Sequence, residues 1–224
     1  MRIFVIPDIH GMLGELQYIY SFLSEKLLED DTKLLFLGDY IHGGEDSKGV
    51  IDFVIRLQEQ YGRDKIIALL GNHEEFVMKG YSSIEEMQLS SEEVEDRYLY
   101  WIESLPRFYQ EGNTIFCHAG IDETLQADWD YTDDYTFTNK YPHELGKIEG
   151  LDFKVVSGHI HTSEIAEDSS FDGIYYDGYS HIYLDGDVLR TGKLNILLVE
   201  TGEYEDKYFE VIENRVYPII EYFN

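Results

Sequence analysis

Early in the chain, short uninterrupted apolar runs alternate with longer stretches in which apolar positions recur every three or four residues. RIFVIPDIHG leads into MLGELQYIYSFLSEKLLED, KLLFLGDYIHGG into SKGVIDFVIRLQEQYG, and KIIALLGNHEE into FVMKG. An apolar run that breaks into a glycine-bearing loop and then takes up helical periodicity is the form of a βαβ unit. The pattern therefore predicts an α/β fold whose first strands are parallel. Residues 84–104 predict a further helix, with SSEE at 90–93 as a capping box, VEDRYLYWIESL at helical spacing and Pro106 marking the end. TIFCHAGI (114–121) and FKVVSGHIHT (153–162) repeat the strand-then-loop form, each breaking at histidine. After residue 174, GIYYDG, HIYLDG, LNILLVE, KYFEVIE and RVYPII predict short antiparallel strands. The acidic, aromatic stretch DETLQADWDYTDDYTFTNKYPHELGK is expected to form a lid or substrate-facing insert.

Composition narrows the picture. A chain of 224 residues, 43% hydrophobic, suits one domain over 1–224 with a substantial core. Its 45 acidic and 17 basic residues give a net charge of -28, which repels phosphate backbones and anionic lipid surfaces and so excludes general nucleic-acid or membrane-surface binding. Cys117 is the only cysteine, so no intrachain disulfide forms, which fits a reducing compartment. The opening MRIFVIPDIHG is too short an apolar run for a signal segment or membrane span, and a cytoplasmic location is the expectation.

Five strand-end loops, PDIHG, LGDYIHG, LGNHE, CHAG and SGHIH, carry the candidate chemistry. They place Asp8, His10, Asp39, Asn72, His73, His118, His159 and His161 beyond the carboxyl ends of strands, where ligands collect in open α/β sheets. Oxygen and imidazole donors without thiolate suit manganese, iron or zinc, and the set is too large for one ion.

As an ordered set these motifs resemble the GDxHG, GDxxDRG, GNHE, H-[AG]-G and GH series of the metallophosphoesterases, in particular the phosphoprotein phosphatase type related to calcineurin, as in bacterial Ser/Thr protein phosphatases. HIYLDGDVLRTGKLNILLVETGE resembles that family's closing strand region. The resemblance implies a four-layer sandwich of two mixed β-sheets flanked by helices. It implies two divalent ions, manganese foremost with iron or zinc as alternatives. Asp8 and His10 would hold the first ion, Asn72, His118 and His159 the second, and Asp39 would bridge them, with His161 reaching the first ion. Two cations roughly 3.5–4 Å apart can share a hydroxide and neutralise phosphoryl oxygens during in-line displacement. His73 would protonate the leaving oxygen, and Glu74 would orient its loop.

Two expected residues are absent. The GDxxDRG pattern would put Asp at 42 and Arg at 43, where this chain has His42 and Gly43. Either Glu45 or Asp46 takes over the carboxylate role, or His42 itself shares a proton with His73. Lys140 is the expected substitute for the phosphate-gripping arginine, with Arg107 and Lys147 behind it. The leading reading is a phosphomonoesterase acting on phosphorylated protein or a small phosphoester. One alternative is a dinucleoside polyphosphate hydrolase of the symmetrical diadenosine tetraphosphatase kind, its bases stacked on DWDYTDDYTF. Another, of a different class, is a catalytically weak metal-binding scaffold that recognises a partner.

Overall fold

Strand β1 (Arg2–Ile6) is buried from Ile3 onward, which is why its sequence is an unbroken apolar run. It pairs in parallel with β2 (Thr32–Phe36), and β2 pairs in parallel with β3 (Ile66–Ala68). Helices α1 (Leu13–Leu23) and α2 (Ser47–Tyr61) supply the crossovers. These coordinates are a computed structural model that describes residues 1–82, 92–213 and 215–222. On the other side of β1 the sheet continues antiparallel through β9 (Leu197–Glu200), β10 (Lys207–Ile212) and β11 (Arg215–Pro218).

The second sheet has a parallel centre, β5 (Thr114–Cys117), β6 (Lys154–Ser157) and β8 (His181–Tyr183), edged by antiparallel β4 (Phe108–Glu111) and β7 (Tyr175–Tyr176). The sheets pack face to face: Val5, Leu35 and Leu37 of the first meet Phe116, Val156 and Ile182 of the second. Each such fully buried side chain contributes about 1.5–3 kcal/mol. The far face of the first sheet, with Phe4 and Phe36, is covered by α1, α2 and α4 (Glu92–Glu103) through Leu16, Val54 and Trp101. The expected sandwich of two mixed sheets flanked by helices is therefore present. Among the described residues no helix is long and apolar enough to cross a membrane.

Three local expectations change. The segment expected to be a lid instead seals the outer face of the second sheet, because Ile115, Cys117 and Val155 leave an apolar surface there that Trp129 and Phe137 cover. Both aromatic rings pack on Phe108, at 5.0 and 5.1 Å between centroids. The strand HIY, expected to be antiparallel throughout, runs antiparallel to β7 but parallel to β6. Helix α3 (Asn72–Met78) begins at Asn72 rather than after the GNHE motif, so that motif forms its first turn. Of the helix expected over 84–104, residues 84–91 lie outside those described; the rest ends at Glu103, before Pro106.

Candidate metal centre

Six parallel strands, three from each sheet, end at the same edge of the sandwich. Asp8 follows β1, Asp39 follows β2, Asn72 follows β3, His118 follows β5, His159 follows β6 and Asp185 follows β8. The loops turn sharply, and His10, Asp39, His42, His159 and Asp187 all adopt the left-handed conformation at φ 48, 51, 70, 65 and 57°. Non-glycine residues rarely accept that conformation unless surrounding contacts hold them, and it gathers at functional sites. Two glycines allow the carboxylates to approach the backbone. A Cβ at Gly71 would stand 2.2 Å from Asp39 Oδ1, and one at Gly158 would stand 2.0 Å from Asp8 Oδ1.

Asp39 is the hub. Its Oδ1 accepts the His73 backbone N–H at 3.0 Å, while Oδ2 faces Nε2 of His118 at 3.5 Å and Nε2 of both His10 and His73 at 3.8 Å. Ligand atoms of His10, Asp39 and His73 lie within 4.8 Å of one another, and so do those of Asp39, His118 and His159. Asn72 Oδ1 sits between the second pair of rings, 2.8 Å from His118 Nε2 and 3.1 Å from His159 Nδ1. His10 donates from Nδ1 to the Ile41 carbonyl at 3.1 Å, so its Nε2 turns a lone pair toward Asp39. Asp8 belongs to neither of these two groups and instead accepts the His159 N–H on both oxygens at 3.0 and 3.1 Å. Fully buried Glu74 accepts three backbone N–H groups, from Asp39 (2.9 Å), Tyr40 (2.8 Å) and Ile41 (3.2 Å), and so fixes the loop that carries the hub.

Burial pushes Asp8 well above the usual carboxylate range, with Asp185 adding to the effect, and pushes Asp39 up likewise beside Glu74 and Asp8. Burial also raises Glu74 to about 7. The imidazoles go the other way: burial and neighbouring rings hold His118 well down, His159 at about 4 and His73 at about 3. Among the described residues no lysine or arginine forms an ion pair with Asp8, Asp39, Glu74 or Asp185. Buried carboxylates and neutral imidazoles gathered without a counter-charge fit divalent cations, which supply one and favour this oxygen and nitrogen donor set.

Other expected residues fall elsewhere. His161 lies outside both groups, half-exposed, with Nε2 3.6 Å from Asp185 and Nδ1 3.8 Å from Asp187. Lys140 is committed to the outer side of the second sheet: Nζ donates to the Ile121 carbonyl at 2.8 Å and pairs with Glu123, so it is not an available phosphate clamp. Arg107 pairs with Asp134 at 3.1 Å. Asp46 caps α2 by accepting the Gly49 N–H at 2.7 Å, which removes it as a partner for His73. That partner is His42, whose Nδ1 lies 2.8 Å from His73 Nδ1. Sequence reasoning missed Asp185 and Asp187. Asp185 is buried beside Asp8 and follows β8 as Asp39 follows β2, so a strand ending in Asp-Gly was the available signal.

The sequence pattern shared by the calcineurin-like phosphoesterases matches residues 1–199. The chain belongs to the calcineurin-like phosphoesterases. Within the curated proteins, this phosphoesterase is 31% identical over 78 residues to a zinc-dependent endopolyphosphatase of Saccharomyces cerevisiae, covering 34% of this chain and 22% of that protein. It is 26% identical over 128 residues to a symmetrical bis(5'-nucleosyl)-tetraphosphatase of Nitrosospira multiformis, covering 54% and 44%. The phosphoesterase thus spans less than half the length of either curated relative in these matches. A solved structure assigned as a diadenosine tetraphosphatase shares the fold at a TM-score of 0.64 and 21% identity, covering 93% of both chains. A Saccharomyces cerevisiae protein serine/threonine phosphatase shares it at 0.60 and 15%, covering 95% of this chain and 81% of that one.

Proposed function

We propose that this phosphoesterase is a metal-dependent phosphatase that hydrolyses phosphoric monoesters, on phosphorylated protein or on small molecules. The observation that carries the reading is buried Asp39, whose one carboxylate is shared by two pairs of imidazoles, His10 with His73 and His118 with His159. Asp8, His10 and Asp39 would hold one divalent ion, with His161 at its margin, and Asp39, Asn72, His118 and His159 the other. When bound, such a pair acidifies water and neutralises phosphoryl oxygens. Glu74 keeps Asp39 aimed between the two sites through its three backbone contacts. His10 presents Nε2 because Ile41 holds its other nitrogen. His73 turns Nε2 toward the cluster and shares a proton with His42 through Nδ1, which suits delivery of a proton to the leaving oxygen. Manganese is the first metal to test, and the yeast relative described as zinc-dependent puts zinc beside it. A catalytic domain over 1–224 and a cytoplasmic location belong to the same proposal.

The dinucleoside polyphosphate reading has equal support from relatives, since the Nitrosospira protein and one solved neighbour carry that description. Electrostatics favours the monoester, because a polyphosphate needs several cations and the acids around Asp39 have none paired with them among the described residues.

The test is p-nitrophenyl phosphate hydrolysis by chelator-stripped protein after adding back manganese, iron, zinc or magnesium singly. Metal-dependent turnover that falls about 100-fold or more in Asp39→Asn is the expected result. Bound ions with no turnover under any metal would overturn it in favour of a scaffold. Phosphopeptide and diadenosine tetraphosphate, assayed in parallel, then separate the two substrate classes.

A further inference from the structure

An anionic ester needs a cation or several backbone donors at its non-bridging oxygens, and a molecule of net charge -28 makes that need sharper. Lys140, Lys79 and Arg107 are each paired with a carboxylate, Glu123, Glu75 and Asp134, that among the described residues makes no hydrogen bond or ion pair with the metal cluster. Arg190 differs. It sits on α7 (Val188–Thr191), immediately after β8 and its Asp185-Gly-Asp187 turn.

Arg190 donates from Nε to Asp187 Oδ2 at 2.9 Å, and the same oxygen is 3.8 Å from His161 Nδ1. His161 Nε2 in turn faces Asp185, whose charge acts on Asp8 and Asp39. A single carboxylate oxygen therefore stands between the guanidinium and a histidine at the margin of the metal cluster. Asp187 is itself fixed: it adopts φ 57°, donates its N–H to Asp185 at 2.9 Å, and also accepts the Arg190 backbone N–H at 3.3 Å. Because Nε is the nitrogen used, the Nη1–Nη2 edge of the fork stays open. Among the described residues nothing accepts from it, and the side chain is 47% exposed.

The packing of α7 adds an independent reason. A Cβ at Gly43, on the loop that carries Asp39 and His42, would stand 2.6 Å from Leu189 Cδ1. The room beside the loop in which a side chain at 43 would grow is filled by α7, and the residue after Leu189 is Arg190. We infer that Arg190 is the anion-gripping residue of this site, taking two phosphoryl oxygens of a monophosphate ester on its Nη edge while Asp187 orients it. This rests on the phosphatase reading for its substrate but not for its measurement.

The experiment is calorimetric titration of inorganic phosphate into metal-loaded protein, comparing wild type with Arg190→Met and Arg190→Lys. Metal content and melting temperature are checked for each. The expected result is phosphate binding weakened about tenfold or more in Arg190→Met, with partial recovery in Arg190→Lys, whose ammonium cannot make the bidentate contact. A matching rise in KM for p-nitrophenyl phosphate should accompany it. Phosphate affinity within twofold of wild type in Arg190→Met overturns the inference even if the enzyme is active, and so does a metal-loaded wild type that binds no phosphate. Binding that depends on Arg190 in a protein that hydrolyses nothing upholds the anion site and sinks the phosphatase reading alone.

Discussion

Glu74 never touches the cluster's open side, yet the hub depends on it. It replaces water for three consecutive backbone N–H groups in the Asp39 loop. Glu74→Gln offers one acceptor oxygen where two stood, and its amide confronts the same donors. The expected cost is about 1–3 kcal/mol in a urea melt, with metal affinity lowered about 10–100-fold in a chelator competition. Unchanged metal binding in a destabilised variant would mean that Glu74 serves the fold only. The His42–His73 pair makes a second prediction. Burial and neighbouring imidazoles hold His73 at about 3, whereas a carboxylate at 42 would favour its charged form. A general acid works while protonated, so His42→Asp should move the alkaline limb of the kcat profile to higher pH; an unmoved limb would show that His73 does not supply the proton. The residues of the strand-end motifs were legible because each ends an apolar run. Asp187 and Arg190 were not, because LDGDVLR has the pattern of a region of short antiparallel strands and nothing local reveals that β8 runs parallel to β6.

Between the second sheet and its covering insert lies an ion network that sequence spacing could not show. His181 on β8 places Nδ1 3.1 Å from Asp177 and Nε2 3.3 Å from Glu123, the partner of Lys140. Burial pulls His181 down, but its bonds to Asp177 and Glu123 outweigh this and leave it above the usual histidine range. For those two acids burial pulls upward, and the bond to His181 leads the contacts that bring both below their usual range. The raised histidine adds stability below about pH 6.5 that is lost as pH climbs through its folded value, and the depressed acids add stability above about pH 4 that is lost on acidification. His181→Gln should therefore cost about 1–3 kcal/mol near pH 5.5 and much less near pH 9, measured by urea melts. A cost independent of pH would leave only packing as its origin. The acids and rings of the insert suggest a lid, but Asp122 and Asp133 are helix caps, accepting from Thr124 and Thr136, and Trp129 and Phe137 are core. Only contact with the sheet's outer face distinguishes a cover of this kind from a lid.

For the whole molecule, the layered α/β architecture was readable from alternating runs and helical periods, since each run demands burial on two faces. Charge adds a test at the same scale. A net charge of -28 repels an incoming phosphate dianion, so kcat/KM for p-nitrophenyl phosphate should rise between 10 and 150 mM salt, and that for a lysine-rich phosphopeptide should fall. Parallel responses would place the field of the surface outside the encounter. The sheet order has one further effect. β1 is hydrogen-bonded to β9, and the Asp8 carboxylate is met by a backbone N–H that lies 151 residues later. At a synthesis rate of 5–20 residues per second, roughly 8–30 s separate those two residues on the ribosome. Late in that interval Asp8, Asp39 and Asn72 have been made while His159 and Asp185 do not yet exist. The group of Asp39, Asn72, His118 and His159 therefore cannot close until β6 has been made, and a nascent chain paused before β6 would carry its first three members with nothing to complete them.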